Sequence, residues 1–376
     1  MPGLRATVTG GTGLVGQRLV EMLVERGAER VVSLDIRPKP KDAMEHKNIE
    51  WIQGDLTKPE DVEKACKGSD VVFHIAAVVG PYYPMPLYER VNYQGTVNVV
   101  NACKKFGIKK IVMSSSPSTR FDPHNLDIVG KKEEELKFPD ERNPPRGFTA
   151  EYARTKAMGE KYCRKENNPP QLMTVAVAPH QVYGPRDGLM LPNLLEAAGT
   201  GRLRIFGEGK NMISFTHVDN YCHGLMLAEK ALYEGSPALG KFYIVTDGPP
   251  QYFWDRLDEA IVGMGYRSLH TKYHLPVWLL MTVACVSECF TYLTGTHLKL
   301  NRFAVKMLTI HRWFDISNAE KDLKYKPIVK FEDGWKATIA WFKENWMTGK
   351  TSFKCQPPGL KKAEAKVEAT KEEAKK

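Results

Sequence analysis

The chain has 376 residues, which is enough for two domains or for one large domain with a smaller lobe. Hydrophobic residues make up 42% and the net charge is +10, so the composition excludes a mostly disordered chain. The seven Cys form no CxxC pair, which argues against a disulfide framework or a zinc ribbon and favours a reducing compartment. Basic residues form no stripe with aromatic residues over roughly the first 260 positions, so we expect no nucleic-acid partner.

Apolar runs of strand length alternate with helical patterns through the first half of the chain. Strands are predicted at 5–9, 30–35, 49–53, 71–76, 110–114 and 172–178, and a further strand is predicted at 241–246. Helices are predicted at 13–26, 87–106 and about 150–165. This alternation predicts an α/β fold with a Rossmann-type doubly wound parallel sheet.

A glycine motif, TGGTGLVG at 9–16, lies between the first strand and the first helix. Gly10 permits a tight turn, Gly13 lets the backbone approach a pyrophosphate, and Gly16 lets helix and strand pack closely. The first N–H groups of the helix would bind the phosphates. The cofactor-binding candidates in this loop are Gly10, Thr12, Gly13, Leu14, Val15 and Gly16.

Asp35 ends the second predicted strand, about 20 residues after the loop. A carboxylate there accepts hydrogen bonds from ribose hydroxyls and repels a 2′-phosphate, so NAD is favoured over NADP. Arg37 is close enough to leave NADP open as an alternative.

Three regions follow from these patterns. Residues 1–178 are predicted to form the NAD-binding core, in which the polar segment 120–148 would be a surface insertion. Residues 179–350 would form a smaller C-terminal substrate lobe, interleaved with elements at 240–265 that return to the core, and would carry an apolar segment at 276–314. Residues 351–376, rich in Lys, Glu and Ala, would form a charged flexible tail.

A candidate catalytic group combines a tyrosine, a lysine and serines. Tyr152 and Lys156 stand four positions apart, on one face of a predicted helix. A phenol is a poor base at neutral pH, but a nearby ammonium stabilises the phenolate and lowers its pKa. Three serines at 114–116 follow a predicted parallel strand, at the edge where such sheets bind ligands. A hydroxyl there can hold the oxygen of a substrate alcohol.

These motifs occur together with GDL at 54–56, HIAA at 74–77, VNYQGT at 91–96, VYGPRD at 182–187 and FTHVDN at 215–220. With them the chain resembles the extended short-chain dehydrogenase/reductases from Leu4 to about Trp346, and within that family the 3β-hydroxysteroid dehydrogenase branch. Segments 178–187, 207–220 and 246–266 are similar to the members that act in sterol C4 demethylation. One departure is Ala178, where many extended members have Arg.

The resemblance implies roles for individual residues. Tyr152 would be the general base, Lys156 would lower its pKa and bind the ribose, and Ser116 would hold the substrate oxygen. The positions implied to contact the cofactor, besides the glycine loop, Tyr152 and Lys156, are Asp35 at the adenosine ribose, Asp55 and Leu56 beside the adenine, Ala76 in the cleft, and Pro179 and Val182 at the nicotinamide. No metal is implied.

The implied reaction is NAD-dependent oxidation of the 3β-hydroxyl of a 4α-carboxysterol to the 3-ketone. The product is a β-keto acid, which loses its carboxylate as carbon dioxide because the ketone accepts the electron pair. The alternatives are a 3β-hydroxysteroid dehydrogenase/Δ5-isomerase, another extended-family reductase or epimerase, and a non-catalytic nucleotide-binding subunit of a membrane complex.

Residues 276–293 are apolar with one ionisable group, Glu288, and residues 299–314 mix basic with aromatic and aliphatic side chains. A helix of the first segment falls just short of the hydrocarbon core of a bilayer, and the second segment suits a bilayer surface. We expect monotopic docking on a membrane, with a true span and a buried lobe helix as alternatives. The resemblance implies the cytosolic face of the endoplasmic reticulum or a lipid droplet. A homodimer and contacts with other C4-demethylation enzymes are left open.

Overall fold

The computed structural model describes residues 1–80, 83–121, 126–139, 147–294 and 300–358. The strands are β1 (Arg5–Thr9), β2 (Arg30–Asp35), β3 (Ile49–Gln53), β4 (Val71–His74), β5 (Lys110–Ser114), β6 (Ile128–Lys131), β7 (Met173–Pro179), β8 (Val182–Tyr183), β9 (Met212–Ile213), β10 (Thr216–His217), β11 (Phe242–Val245), β12 (Gln251–Tyr252) and β13 (Arg312–Phe314). The α-helices are α1 (Leu14–Glu25), α2 (Pro59–Cys66), α3 (Met85–Tyr88), α4 (Gly95–Phe106), α5 (Glu151–Lys165), α6 (Leu191–Gly199), α7 (Val218–Lys230), α8 (Phe253–Gly263), α9 (Val277–Thr294), α10 (Arg302–Met307), α11 (Ser317–Asp322) and α12 (Phe331–Trp341).

Seven strands form one sheet in the order β11-β7-β5-β4-β1-β2-β3. Every neighbouring pair is parallel, which confirms the predicted doubly wound sheet. Helices cover both faces, so inner strands are buried along their length; all four residues of β4 are buried. The strand order reverses between β1 and β4, and the carboxyl ends of the strands at such a reversal form a crevice that binds ligands.

The predicted helix at 87–106 is divided into α3, a π-helical turn over Glu89–Gln94, and α4. The wider turn carries the buried side chain of Asn92. Its amide oxygen accepts a hydrogen bond from the Val78 N–H at 2.8 Å, and its amide nitrogen donates to the Thr155 hydroxyl at 3.1 Å. A periodicity of 3.6 residues does not reveal such a turn, because the side chains before and after it still alternate with helical spacing.

A second hydrophobic cluster lies among the residues that follow β7. Its aromatic members include Trp254, Phe331, Trp335 and Trp346, and the rings of Phe331 and Trp335 stack at 5.7 Å. A four-stranded sheet in the order β12-β9-β13-β6 belongs to this part of the molecule.

The segment 120–148, expected to be a surface insertion, is partly interior among the residues that the structure describes. Strand β6 pairs in parallel with β13, and Ile128 and Leu136 are buried. The segment therefore joins the small sheet. Its many polar residues concealed the few apolar ones that pack.

The basic and aromatic stretch at 299–314 was expected at a membrane surface, but part of it is interior. It contains the short helix α10 and strand β13, and the side chains of Arg312 and Phe314 are buried. Strand pairing with β6 and β9 draws these two residues inward. Among the residues the structure describes, no helix combines the length and apolar character needed to cross a membrane.

The first part of the predicted flexible tail, residues 351–358, is packed against the rest of the fold. The Phe353 ring lies 6.2 Å from that of Trp341, and the Trp346 indole donates a hydrogen bond of 2.7 Å to the Cys355 carbonyl. Residues 351–358 thus pack against the end of α12. Residues 359–376 lie outside the described residues.

Candidate active site

The glycine loop makes a close turn between β1 and α1. Gly10 has φ +73°, and a Cβ there would lie 2.8 Å from the Ala76 backbone. A Cβ on Gly16 would lie 2.0 Å from the Gly10 carbonyl oxygen. The motif contains a further requirement that sequence analysis missed: a Cβ on Gly11 would lie 2.1 Å from the Ser33 hydroxyl oxygen. Only glycine fits at these three positions.

Gly13 is different, because a Cβ there would meet nothing closer than 3.4 Å. Gly13 is the N-cap of α1 and supplies no side-chain cap, so the first N–H groups of the helix remain available. The Thr12 hydroxyl is buried and has no hydrogen-bond partner in the structure. The absence of a side chain at Gly13, the uncapped N–H donors and the orphan Thr12 hydroxyl together fit the pyrophosphate of a dinucleotide.

Asp35 lies beside this loop at the end of β2. One carboxylate oxygen accepts from the Thr12 N–H and the other from the Arg37 N–H, both at 3.1 Å. Each oxygen can accept a second bond, so the carboxylate retains capacity for ribose hydroxyls. The Arg37 guanidinium lies 3.7 Å from the same carboxylate and is exposed. The structure thus brings together Asp35, the predicted acceptor for the ribose hydroxyls, and Arg37, the residue for which NADP was left as an alternative cofactor.

The other predicted cofactor positions lie at or just after the carboxyl ends of parallel strands of the main sheet. Asp55 and Leu56 follow β3; the Asp55 carboxylate accepts from the Thr57 N–H at 2.8 Å, and Leu56 is buried. Ala76 follows β4 and packs against the glycine loop. Pro179 ends β7 and Val182 begins β8.

Ser116 and Tyr152 are brought into contact, although they come from different elements. Tyr152 lies in the first turn of α5, and its phenol hydrogen-bonds the Ser116 side chain. The Ser116 hydroxyl also lies 2.8 Å from that of Ser118. Burial raises the pKa of Tyr152 to about 12, and the bond to Ser116 opposes this rise.

The other two serines are engaged elsewhere. The Ser114 hydroxyl lies 2.7 Å from the Tyr221 hydroxyl, and the Ser115 hydroxyl donates to the Glu160 carboxylate at 2.6 Å. Of the three, only Ser116 pairs with the candidate base. The structure therefore distinguishes serines that the sequence presents as one run.

Lys156 is buried and donates a hydrogen bond of 2.6 Å from its ammonium to the Ser114 main-chain carbonyl. Burial lowers the pKa of Lys156 to about 8. Sequence analysis expected this ammonium to lower the pKa of Tyr152. The described structure instead has no hydrogen bond between the two side chains, and Lys156 is not among the groups that shift the pKa of Tyr152. The spacing of four residues correctly predicted that Tyr152 and Lys156 share one face of a helix. The direction of the ammonium is set by its hydrogen bond to the Ser114 carbonyl.

A buried chain of hydrogen bonds that sequence analysis missed runs beneath the site. The Thr9 hydroxyl accepts from the Ala76 N–H and lies 2.8 Å from Nδ1 of His74. Nε2 of His74 lies 2.9 Å from the Thr96 hydroxyl, which donates to the Asn92 carbonyl. Burial and the Lys156 charge lower the pKa of His74 to about 3, so the ring is neutral. The available signal was His74 in the otherwise apolar HIAA segment, together with Asn92 and Thr96 in VNYQGT.

A buried ion pair joins α5, through Glu160, to Arg120 in the segment that follows β5. The Arg120 guanidinium pairs with the Glu160 carboxylate, which also binds Arg164 at 3.0 Å. Burial opposes ionisation of Glu160, but Arg120 holds its pKa below the ordinary value. The Arg120 guanidinium also lies 3.4 Å from the centroid of the Phe242 ring on β11. Among the described residues, no cluster of three or more acidic, His or Cys side chains is placed to hold a metal.

The 3-beta hydroxysteroid dehydrogenase/isomerase family matches residues 7–277 of this chain. The 3beta-hydroxysteroid-dehydrogenase/decarboxylase isoform 1 of Arabidopsis thaliana is 34% identical, over 88% of this chain and 78% of the relative. The human sterol-4-alpha-carboxylate 3-dehydrogenase, decarboxylating, is 31% identical, over 90% and 88%. A 2-alkyl-3-oxoalkanoate reductase of Stenotrophomonas maltophilia is 31% identical, over 88% and 97%. Among solved structures, epimerase Mth375 of Methanothermobacter thermautotrophicus has TM-score 0.70 at 23% identity, over 94% and 96%, and shares the fold.

Proposed function

Because the chain belongs to the 3-beta hydroxysteroid dehydrogenase/isomerase family, we propose that it oxidises the 3β-hydroxyl of a 4α-carboxysterol with NAD and releases the C4 carboxylate as carbon dioxide. The observation that carries the proposal is the hydrogen bond between Ser116 and Tyr152 at the carboxyl end of β5, beside buried Lys156. The sterol carboxylate is taken from the named activities of the plant and human relatives.

The residues of the glycine loop fit NAD. Gly13 and the start of α1 would hold the pyrophosphate, the orphan Thr12 hydroxyl would donate to it, and Asp35 would accept from the adenosine ribose. NAD supplies the acceptor for the hydride that leaves C3. Pro179 and Val182 would border the nicotinamide, with Ala76 in the cleft, and Asp55 and Leu56 would lie beside the adenine.

Side chains of the protein would bind the 3β-hydroxyl group and remove its proton. Ser116 would hold the 3β-hydroxyl oxygen while the Tyr152 phenolate removes its proton. In the absence of substrate the Tyr152 pKa of about 12 keeps the phenol protonated at neutral pH. Positive charge in the site must therefore stabilise the phenolate when the ligands bind. Lys156, one helical turn after Tyr152, would supply one such charge once the bound ligands bring the two groups into the same site.

Loss of carbon dioxide requires no additional acid or base. Once C3 is a ketone, the electron pair of the bond between C4 and the carboxylate moves to the carbonyl, which becomes an enolate. The same Ser116 and Tyr152 hydroxyls would donate to the enolate oxygen. A proton added at C4 then gives the 3-ketosteroid.

A second candidate is reduction or oxidation of an acyclic 2-alkyl-3-oxygenated acid. The Stenotrophomonas relative with that named activity matches over 97% of its own length. Both candidates act on a carboxylate with an oxygen on its β-carbon. Carbon dioxide release separates them, and it equally separates the main proposal from an isomerase, an epimerase or a subunit without activity.

We also propose that α9 docks the protein on one face of a membrane, at the cytosolic face of the endoplasmic reticulum or at a lipid droplet. One side of α9 packs inward through Leu280 and Ala284, while Trp278, Val286 and Leu293 are 70%, 65% and 80% exposed. Such an apolar surface favours burial in lipid. The proposal includes contacts with other C4-demethylation enzymes, since a shared membrane would bring successive enzymes together. It also includes a homodimer, in which two copies would dock on the same membrane.

The test is to incubate the full chain with NAD and a 3β-hydroxy-4α-carboxysterol, and to measure NADH and carbon dioxide together. We expect equal amounts of both, and a loss of about 10²–10⁴-fold in Tyr152→Phe. Tyr243→Phe is the matched control, because this buried tyrosine donates its hydrogen bond to Asp322, which is not one of the candidate site residues. NADH without carbon dioxide would leave a dehydrogenase and remove the decarboxylation. No product from protein that binds NAD would contradict the proposal.

A further inference from the structure

Arg312 is a buried cation without an acidic partner. Its residue surface is 8% exposed, and no carboxylate of the described residues pairs with its guanidinium. Arg120 provides a comparison within the same molecule, because it is equally buried but is paired with Glu160. Buried arginines in proteins are ordinarily paired, since an isolated charge loses its hydration without compensation.

The groups hydrogen-bonded to Arg312 are neutral. One terminal nitrogen donates to the Met307 carbonyl at 2.7 Å, and the other lies 3.3 Å from Nε2 of His180. Nδ1 of His180 lies 2.6 Å from the Ser214 carbonyl, so Nδ1 carries the proton and Nε2 accepts from Arg312. Burial, followed by the charge of Arg312, lowers the pKa of His180 to about 3, so this ring supplies no charge.

One donor of the guanidinium has no partner at all. Nε of Arg312 is buried and makes no hydrogen bond in the structure. Burial lowers the pKa of Arg312 to about 10, so the side chain remains a cation at neutral pH. An orphan N–H on an uncompensated cation is the arrangement that a carboxylate satisfies, since a guanidinium binds carboxylates with paired N–H donors.

Arg312 is linked through its hydrogen bond with His180 to the end of β7, near which the substrate is expected. His180, its partner, follows Pro179 at the carboxyl end of β7, the position implied to border the nicotinamide. Arg312 begins β13 and pairs with Ile213 on β9, in the small sheet that follows the core. The guanidinium is therefore attached to the lobe and hydrogen-bonded to the rim of the core.

We propose that Arg312, positioned by His180, binds the carboxylate of the substrate and selects an acid over a neutral 3β-hydroxysteroid. This inference rests on the proposed function, because it takes the 4α-carboxysterol as the ligand. The oxoalkanoate reductase among the relatives also has a carboxylate in its named substrate.

The test compares the 3β-hydroxy-4α-carboxysterol with its methyl ester, which has nearly the same shape and no charge. Binding of each ligand to the NAD-loaded full chain is measured by calorimetry, and oxidation of each is followed by NADH. For the native protein we expect the acid to bind at least about 30-fold more tightly than the ester. In Arg312→Met this ratio should fall to about one, with ester binding changed no more than about threefold. Arg312→Lys, which keeps the charge but loses the paired donors, should give an intermediate ratio.

The acid-to-ester ratio is measured within each protein, so a general loss of stability does not imitate the effect. Equal binding of acid and ester by the native protein would overturn the proposal without any variant. An unchanged ratio in Arg312→Met would overturn it as well. If the native protein binds the acid through Arg312 but forms no NADH, the carboxylate site stands and the proposed reaction fails.

Discussion

The Lys156 ammonium donates a hydrogen bond of 2.6 Å to the Ser114 main-chain carbonyl, so α5, which carries Tyr152, is tied to the end of β5, two residues before Ser116. A buried cation therefore lies one helical turn from the candidate base, without a direct bond between the two side chains. The charge and the burial of Lys156 therefore affect both the reaction and the stability of the fold.

Lys156 predicts a pH dependence of stability. Burial lowers its pKa from the ordinary 10.5 to about 8. Between these values the unfolded chain binds a proton that the folded protein does not, so the free energy of unfolding rises with pH across this window. Relative to Lys156→Met, the native protein should gain at most about 3 kcal/mol from pH 8 to pH 10.5. Urea unfolding at both pH values measures the gain, and parallel changes in the two proteins would contradict it.

Two glycine substitutions should separate folding from cofactor binding. Gly16→Ala places a Cβ 2.0 Å from the Gly10 carbonyl oxygen, so we expect a lower melting temperature and lost NAD binding. Gly13→Ala meets no atom closer than 3.4 Å, so the fold should keep its melting temperature while the methyl group occupies the space for the pyrophosphate. Thermal unfolding with and without NAD measures both effects. Undiminished NAD binding by Gly13→Ala would refute the placement of the phosphates.

Asp35 should control the choice between NAD and NADP. Asp35→Ser removes the carboxylate that repels a 2′-phosphate and leaves the exposed Arg37 guanidinium beside the site. We expect the ratio of kcat/KM for NADP to that for NAD to rise at least about tenfold. Arg37→Ser in the same background should reverse much of the gain. A ratio that does not change in Asp35→Ser would place the ribose elsewhere.

The buried pair behind α5 should matter for stability. Arg120→Met leaves Glu160 with Arg164 but without its buried partner, and breaking such a pair destabilises proteins by about 3–5 kcal/mol. Arg5→Met is the control, because it breaks an exposed, solvent-screened pair with Asp70 and should change the free energy of unfolding much less. Urea unfolding compares the two variants. Similar losses would show that burial of the pair is unimportant.

The exposed face of α9 should bind lipid. Trp278→Asp and Leu293→Asp place charge on this face, and both wild-type side chains are mostly exposed, so the fold should be unaffected. We expect the native protein to float with liposomes and the double variant to remain in the aqueous fraction. Leu280→Ala, on the packed side, should reduce stability and leave flotation of the folded protein unchanged. Flotation that is equal in all three proteins would argue against docking through α9.

Local patterns in the sequence were sufficient for the parallel sheet, the glycine loop and the membership of Tyr152 and Lys156 in one helix. Strand runs buried on both faces, the glycine spacing and the spacing of four residues depend on neighbours along the chain, and the predicted strand at 241–246 is seen as β11. The family resemblance then supplied the reaction.

Tertiary structure alone decided which groups meet. Pairing of β13 with β6 and β9 carried Arg312 from an expected membrane surface into the interior, and the π-helical turn directed Asn92 to Val78 and Thr155. The tertiary structure also gives Ser116 a different hydrogen-bond partner from those of Ser114 and Ser115. It directs the Lys156 ammonium to a main-chain carbonyl rather than to Tyr152. These contacts join residues far apart in the chain, and hydrophobic periodicity carries no information about which distant hydrogen-bond partner a buried polar group will find.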